Sequence, residues 1–111
     1  RVLNRRLLAL TSALAGLPGT GITVTTSALQ LDFGHDVVLV DTTAGSVTVT
    51  LPPISDGYRK RYEIKKDDAS GNSLVIDGSW SDTIDGAANI TTSTGWASYT
   101  VVGGPSEWKV V

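Results

Sequence analysis

The sequence predicts a mainly β protein, with a short N-terminal coiled-coil helix ahead of an antiparallel β-sandwich or barrel-like knob. Three observations carry that expectation. The stretch from Asp36 to Pro53 reads DVVLVDTTAGSVTVTLPP, where Val37 to Val40 is an unbroken apolar run and Val47, Val49 and Leu51 alternate with Thr48 and Thr50. The run suits a strand buried on both faces and the alternation a strand with one wet face. Further short apolar segments follow, separated by Gly, Asp, Asn and Ser clusters, the spacing of antiparallel strands joined by turns. Finally, Leu3, Leu7, Leu10, Leu14 and Leu17 are separated by four, three, four and three positions, the seam of a heptad repeat.

With 111 residues the chain is expected to form one domain, large enough to bury a core without crosslinks. It has no cysteine, so neither a disulfide nor a thiolate metal site can form. A net charge of −2 gives no general attraction to nucleic acid, and the longest apolar stretches fall far short of a membrane span. Nucleic acid and membrane insertion are therefore not expected.

The helix is expected over 1–17. Ala9, Ala13 and Ala15 add helix propensity, and Gly16-Leu17-Pro18-Gly19 combines a C-cap residue with a breaker. A helix of about 15 residues, roughly 22 Å long, is marginal alone in water and needs a partner surface. That surface is either the chain's own β-domain or identical helices in a parallel coiled coil. The leucine stripe is narrow, flanked by Asn4, Arg6, Thr11 and Ala13, which favours the coiled coil. Leucine at both seam positions does not choose between two, three or four strands. Arg1, Arg5 and Arg6 occupy the end where the helix dipole disfavours cations, without a capping residue. The natural helix is thus expected to start upstream, in a longer protein. Leu7 to Ala15 is too short for a convincing signal-peptide core, and cleavage would leave the leucine spacing unexplained.

Residues 18–21 read as a linker and 22–111 as the antiparallel domain. Ile22 to Thr26 alternates, and Leu29 and Leu31 keep the period. After a turn at Asp32 to Asp36, Val37 to Val40 and Val47 to Leu51 are expected to form a hairpin joined by Asp41 to Gly45, and Pro52-Pro53 to stop it. Ser55-Asp56-Gly57 reads as a turn. Tyr62 and Ile64 among Arg61, Glu63 and Lys65 read as a half-exposed strand, Asp67 to Asn72 as a loop, and Leu74 to Ile76 as a strand. Ala88 to Thr92, Trp96 to Val102 and Trp108 to Val111 complete seven or eight strands. Ile76-Asp77-Gly78 recurs as Ile84-Asp85-Gly86, which reads as two similar turns and not as a solenoid repeat.

Few residues suggest chemistry. His35 is the single histidine; Asp32 and Asp36 are near, but no serine sits in a nucleophile-elbow context, so a turn role is expected. Asp67, Asp68, Ser70 and Asn72 offer oxygens to calcium yet lack EF-hand spacing, and capping of a hairpin turn is the favoured reading. Asp77, Asp82 and Asp85 could supply a glycosidase pair, but Asp77 and Asp85 precede glycine as in ordinary turns. Trp96 and Trp108 lie in strand patterns and are expected in the core. Trp80, between Ser79 and Ser81, is expected to be exposed, as a platform for a sugar face. Arg59-Lys60-Arg61 and Lys65-Lys66 read either as a solvated strand edge or as a contact for an anionic glycan. Asn89-Ile90-Thr91 matches a glycosylation acceptor, relevant only in a secretory context. The expected ligand contacts are therefore Trp80, Arg59, Lys60 and Arg61, with no catalytic residue, cofactor or metal.

The succession DVVLVDTTAGSVTVTLPP, YEIKKDDASGNSLVIDG, DTIDGAANITT and WASYTVVGGPSEWKVV resembles the small β-domain found repeatedly in fibre, spike and related appendage proteins of tailed bacteriophages. The resemblance covers roughly 22–111. It implies a homotrimeric virion component, commonly a C-terminal knob behind a helical or fibrous stalk, with which the leucine seam agrees. It carries over no catalytic residue, and Trp80 and the Arg59-Lys60-Arg61 cluster depart from its usual pattern. The expected function is that of a non-enzymatic virion structural protein, a knob of a tail or head fibre or spike, acting in host attachment as a multivalent trimer. Its partners would be itself, other virion proteins and a host surface glycan, on an extracellular particle assembled in host cytoplasm. The alternatives are a capsid or baseplate decoration protein anchored by its helix without receptor binding, and a glycan-depolymerising spike.

Overall fold

Strands form where the sequence alternates or runs apolar, but the partners they choose differ from those expected. The computed structural model describes residues 21–111; the helix expected over 1–17, with its seam of Leu3, Leu7, Leu10, Leu14 and Leu17, lies outside the described residues. Nine strands are described: β1 Ile22–Thr25, β2 Leu29–Gln30, β3 Val37–Val40, β4 Val47–Thr50, β5 Arg61–Lys66, β6 Leu74–Asp77, β7 Asn89–Thr92, β8 Ser98–Gly103 and β9 Trp108–Val110. The expected turn at Ser55 to Gly57 is a single helical turn, α1, Ile54–Gly57.

The expected hairpin does not form. β3 lies in a five-stranded sheet of order β1-β3-β5-β8-β9, and β4 lies in a four-stranded sheet of order β2-β4-β6-β7. β3 runs parallel to β1 and β5, and β4 parallel to β2 and β6. The chain alternates between the two sheets from β1 to β6, so this part of the fold is a short parallel coil of three turns. β7, β8 and β9 then return antiparallel on β6, β5 and β8 and close one end. The domain is mainly β, as expected, but its sheets are mixed and not antiparallel.

The physical reason lies in the corner after β3. The Thr43 amide donates to Asp41 Oδ1 at 2.9 Å and the Gly45 amide to the Thr42 carbonyl at 3.1 Å, so the chain bends out of the first sheet before β4 begins. The bend lets Val38 and Val40 of one sheet and Val47 and Val49 of the other point into the same interior, all at most 3% exposed. A flat hairpin would have placed both strands in one layer. The inward residues of both sheets form a single cluster with Leu31, Leu51, Tyr62, Ile64, Leu74, Ile76, Ile84, Val101 and Trp108.

The two Ile-Asp-Gly copies prove physically different. Asp85 and Gly86 both have positive φ, 49° and 83°, and Ile84 and Ala87 exchange backbone hydrogen bonds of 2.7 and 3.0 Å, the two-residue turn for which Asp-Gly is preferred. Gly78 is needed for space instead, since a Cβ there would lie 2.5 Å from the Asp82 carbonyl oxygen. Gly86→Ala is expected to lower stability by about 1 kcal/mol, read by thermal melting, because alanine is strained at that φ.

Trp108 is fully buried, as expected, with its ring centroid 5.8 Å from that of Tyr62. Trp96 is not a core residue: it is 55% exposed with φ of 65°. Its amide donates to the Asp68 carbonyl and the Ala97 amide to the Thr94 carbonyl, so the turn runs through Trp96 and β8 starts only at Ser98.

Candidate functional site

Parallel coiling gathers loops that are distant in sequence. Gln30 lies opposite Thr50, and Thr50 opposite Asp77, so the connections leaving β2, β4 and β6 emerge on one side of the fold. The turn between β8 and β9 joins them there, because β5 and β8 pair antiparallel and the Arg59 amide donates to the Gly103 carbonyl at 2.8 Å. On this side Phe33, Val37, Tyr58, Arg59, Arg61 and Glu63 line an open groove of about 550 Å³, with Asp36 and Lys60 beneath.

The structure divides the expected Arg59-Lys60-Arg61 cluster. β5 is a central strand between β3 and β8, so the reading of these cations as a solvated strand edge does not hold. Lys60 turns inward, its side chain 5% exposed, and its Nζ donates to Asp36 Oδ1. The ammonium also lies 4.9 Å from the Tyr62 ring centroid and 5.3 Å from that of Phe33. Lys60 is thus a structural cation and not an exposed ligand contact. Tyr62 is itself fixed by donating from its hydroxyl to the Asp32 carbonyl at 2.8 Å; burial first, then the nearby Asp32 and Asp36 carboxylates, push its phenol well above the usual range. Arg61 Nε is 3.4 Å from Glu63 Oε2, and Thr100 donates its hydroxyl to Glu63 Oε1.

Arg59 behaves differently. It is exposed with φ of 70°, and its guanidinium carbon sits 5.4 Å from the Tyr58 ring centroid. It forms no ion pair among the described residues. Tyr58 and Phe33 are 53% and 60% exposed, so two aromatic rings and one uncommitted cation face the same space. Sequence reading overlooked both rings. Tyr58 beside Arg59, and Phe33 within a turn of charged residues, were the available signals, but only the strand register brings them together. Trp80, 91% exposed with φ of 51°, sits on the β6–β7 connection and does not line the groove.

The remaining candidates are used by the fold. His35 Nδ1 accepts from the Asp32 amide at 3.0 Å, and Asp32 Oδ1 accepts from the Gly34 amide at 2.8 Å, which closes the turn before β3. Asp82 Oδ2 accepts from the Ile54 amide at 2.8 Å and so caps α1 from another loop, while Asp85 Oδ2 accepts from Val110 at 3.4 Å. Glu107 takes Lys109 Nζ at 2.7 Å, the Thr83 hydroxyl at 2.7 Å and the Gly86 amide at 2.8 Å, and these donors hold its carboxyl down at about 2. At the opposite corner, Lys66 Nζ reaches Asp68 Oδ1 at 2.8 Å, and Asp68 also accepts from the Ser70 hydroxyl, the Ser70 amide and Thr42. The Asp68 and Ser70 oxygens are thus engaged by protein donors, and the Lys66 ammonium stands beside them where a cation would. The loop joins strands of different sheets, so it is a coil corner and not the tip of a hairpin.

Chemically, the groove can stack a flat ligand against aromatic carbon, offer a guanidinium to an anion, and accept a hydrogen bond from a hydroxyl at Glu63. No family model and no curated protein matches the chain.

Proposed function

We propose that the chain is a non-enzymatic structural protein of a bacteriophage virion, the knob of a fibre or spike, which acts in host attachment as a homotrimer. The observation that carries this reading is an apolar patch on the outer face of the five-stranded sheet. Ile22 and Val24 point outward and are 68% and 66% exposed. They stand in register with Val37 and Leu39, which are only half-buried. The outward half of the Val37 to Val40 run is thus left in contact with water in a single chain. Neighbouring copies packed on this face would bury it, giving a strand covered on both sides. Three knobs on one stalk turn a weak site into firm attachment, because the second and third contacts form at high effective concentration. The aromatic, cationic groove favours attachment over a role in which the knob merely decorates the particle.

Light scattering tests the assembly. The protein is expected to be trimeric at micromolar concentration. Val24→Lys, which places a charge in the patch, and Leu10→Asp, which places one in the leucine seam, are each expected to shift it toward monomer. A monomeric wild-type protein, or variants that associate normally, would overturn the reading. Binding of the isolated protein to host cells or their lipopolysaccharide tests the attachment role; binding only to particles that lack it would point to decoration instead.

A further inference from the structure

The groove beside β5 is open, partly aromatic and carries one unbalanced positive charge. Its volume of about 550 Å³ lies within the roughly 300–1,000 Å³ range of small-molecule sites. Two of its cations are already matched, Lys60 by Asp36 and Arg61 by Glu63. Arg59 is not matched within the described residues, and the Tyr58 ring under its guanidinium holds it at the groove.

The backbone sets where this cation stands. Among the described residues, four non-glycine residues have positive φ: Arg59, Trp80, Asp85 and Trp96. Asp85 belongs to a turn that requires the conformation. Arg59 does too: Tyr58, with φ of −57° and ψ of 126°, and Arg59 are the central residues of a turn closed by the Lys60 amide donating to the Gly57 carbonyl at 2.9 Å, and that turn needs positive φ at its second central residue. Glycine fits this region without a steric penalty, whereas a long L side chain is disfavoured there. The turn thereby presents the exposed Arg59 side chain at the groove, over the Tyr58 ring.

We infer that this groove binds an acidic sugar, a pyranose bearing a carboxylate or phosphate, with the anion on Arg59 and the ring against Tyr58 and Phe33. Glu63, at the same opening, accepts from a sugar hydroxyl. The assignment deepens the attachment reading, since it names the chemistry that the knob would recognise. The aromatic rings favour a sugar over an acidic peptide: exposed ring faces suit the C–H face of a pyranose, and the one free guanidinium suits one anionic group per unit.

The test is an NMR titration of the full chain with methyl glucuronide, glucose 6-phosphate and neutral methyl glucoside, together with an aspartate-rich peptide. One or both acidic sugars are expected to bind at least roughly tenfold more tightly than methyl glucoside, the scale of a charge-assisted hydrogen bond, with Tyr58 and Arg59 resonances shifting. The arm that binds better identifies carboxylate or phosphate. Arg59→Gly is expected to abolish that preference while leaving the melting temperature unchanged or raised, and Tyr58→Ala to weaken all the sugars alike. Equal binding of methyl glucoside, tighter binding of the peptide, no binding at millimolar sugar, or an Arg59→Gly protein that binds as before would each overturn the assignment. Host-cell attachment without acidic-sugar binding removes this site alone; acidic-sugar binding without host-cell attachment removes the attachment reading alone.

Discussion

Asp68→Ala is expected to lower the melting temperature by roughly 15 °C or more, because it leaves the ammonium of Lys66 buried without its partner. Lys66 is fully buried, and its Nζ has Asp68 Oδ1 and Ser70 as its polar neighbours. The same carboxylate organises the corner, receiving Thr42 from the β3–β4 connection and Ser70 from its own loop. Removal therefore loosens two turns of the coil at once. The Lys66 ammonium, then the Ser70 hydroxyl, hold the Asp68 carboxyl well below its usual range. A carboxyl whose folded pKa is depressed stabilises the fold above its unfolded value, near 3.9, and the contribution fades as pH falls toward the folded value. Wild-type protein should accordingly lose stability from about pH 4 downward, and Asp68→Ala should show a flatter acid limb. Melting curves between about pH 2 and 7 measure both effects. An Asp68→Ala protein with wild-type melting at neutral pH would mean that the corner is not held by this pair. Thr42→Val removes only one of the donors and is expected to lose about 1 kcal/mol.

Strand positions were legible in the sequence, and strand partners were not. Alternation reports which side chains share a face, and it marked β5 and β8 as it should; it carries no information about which strand lies alongside. Ile22 stands opposite Val37, and Val37 opposite Glu63, so successive turns of the coil differ in length and leave no repeat to detect. Adjacent apolar segments joined by a short polar stretch were therefore read as a hairpin. The buried Lys66 did leave a signal. Period two puts it on the face of Tyr62 and Ile64, and Asp68 follows two positions later, a lysine directed inward with an acid within reach. That signal went unused, since Lys65-Lys66 read as a solvated edge; period two directs Lys60 inward as well, but its partner Asp36 is brought close only by the parallel pairing of β3 and β5. The groove is hidden for that reason too: Phe33 and Tyr58 come from different turns of the coil. Trp96 misled because its neighbours have the composition of a strand, while its amide's hydrogen bond to Asp68 and that of Ala97 to Thr94 keep it in a turn.

Trp108→Ala is expected to lower the unfolding free energy by about 3–5 kcal/mol, the range for deleting a large aromatic side chain from a core. Trp108 is the largest fully buried side chain among the described residues, and it packs where the coil is closed: against Tyr62 of β5, and so tightly against Gly57 that this residue has no room for a Cβ, while Gly103 beside the ring is closed by the Gly57 carbonyl. A Cβ on Gly57 would lie 2.3 Å from Trp108 Cζ2. Gly57→Ala alone should therefore cost about 1–3 kcal/mol through overpacking. In a Trp108→Ala background the same substitution should cost close to nothing, since the ring that obstructs it is gone; a double-mutant cycle by urea unfolding measures the difference. Additive losses would mean that the Gly57–Trp108 contact is not what limits the site. Trp108→Phe should be milder than Trp108→Ala, because the indole Nε1 is buried without an acceptor and phenylalanine removes that unsatisfied donor while keeping most of the ring. The effect should also reach the groove. Gly103, against this indole, accepts the Arg59 amide, so loss of the ring is expected to loosen the backbone that presents Arg59 and weaken acidic-sugar binding before the fold is lost.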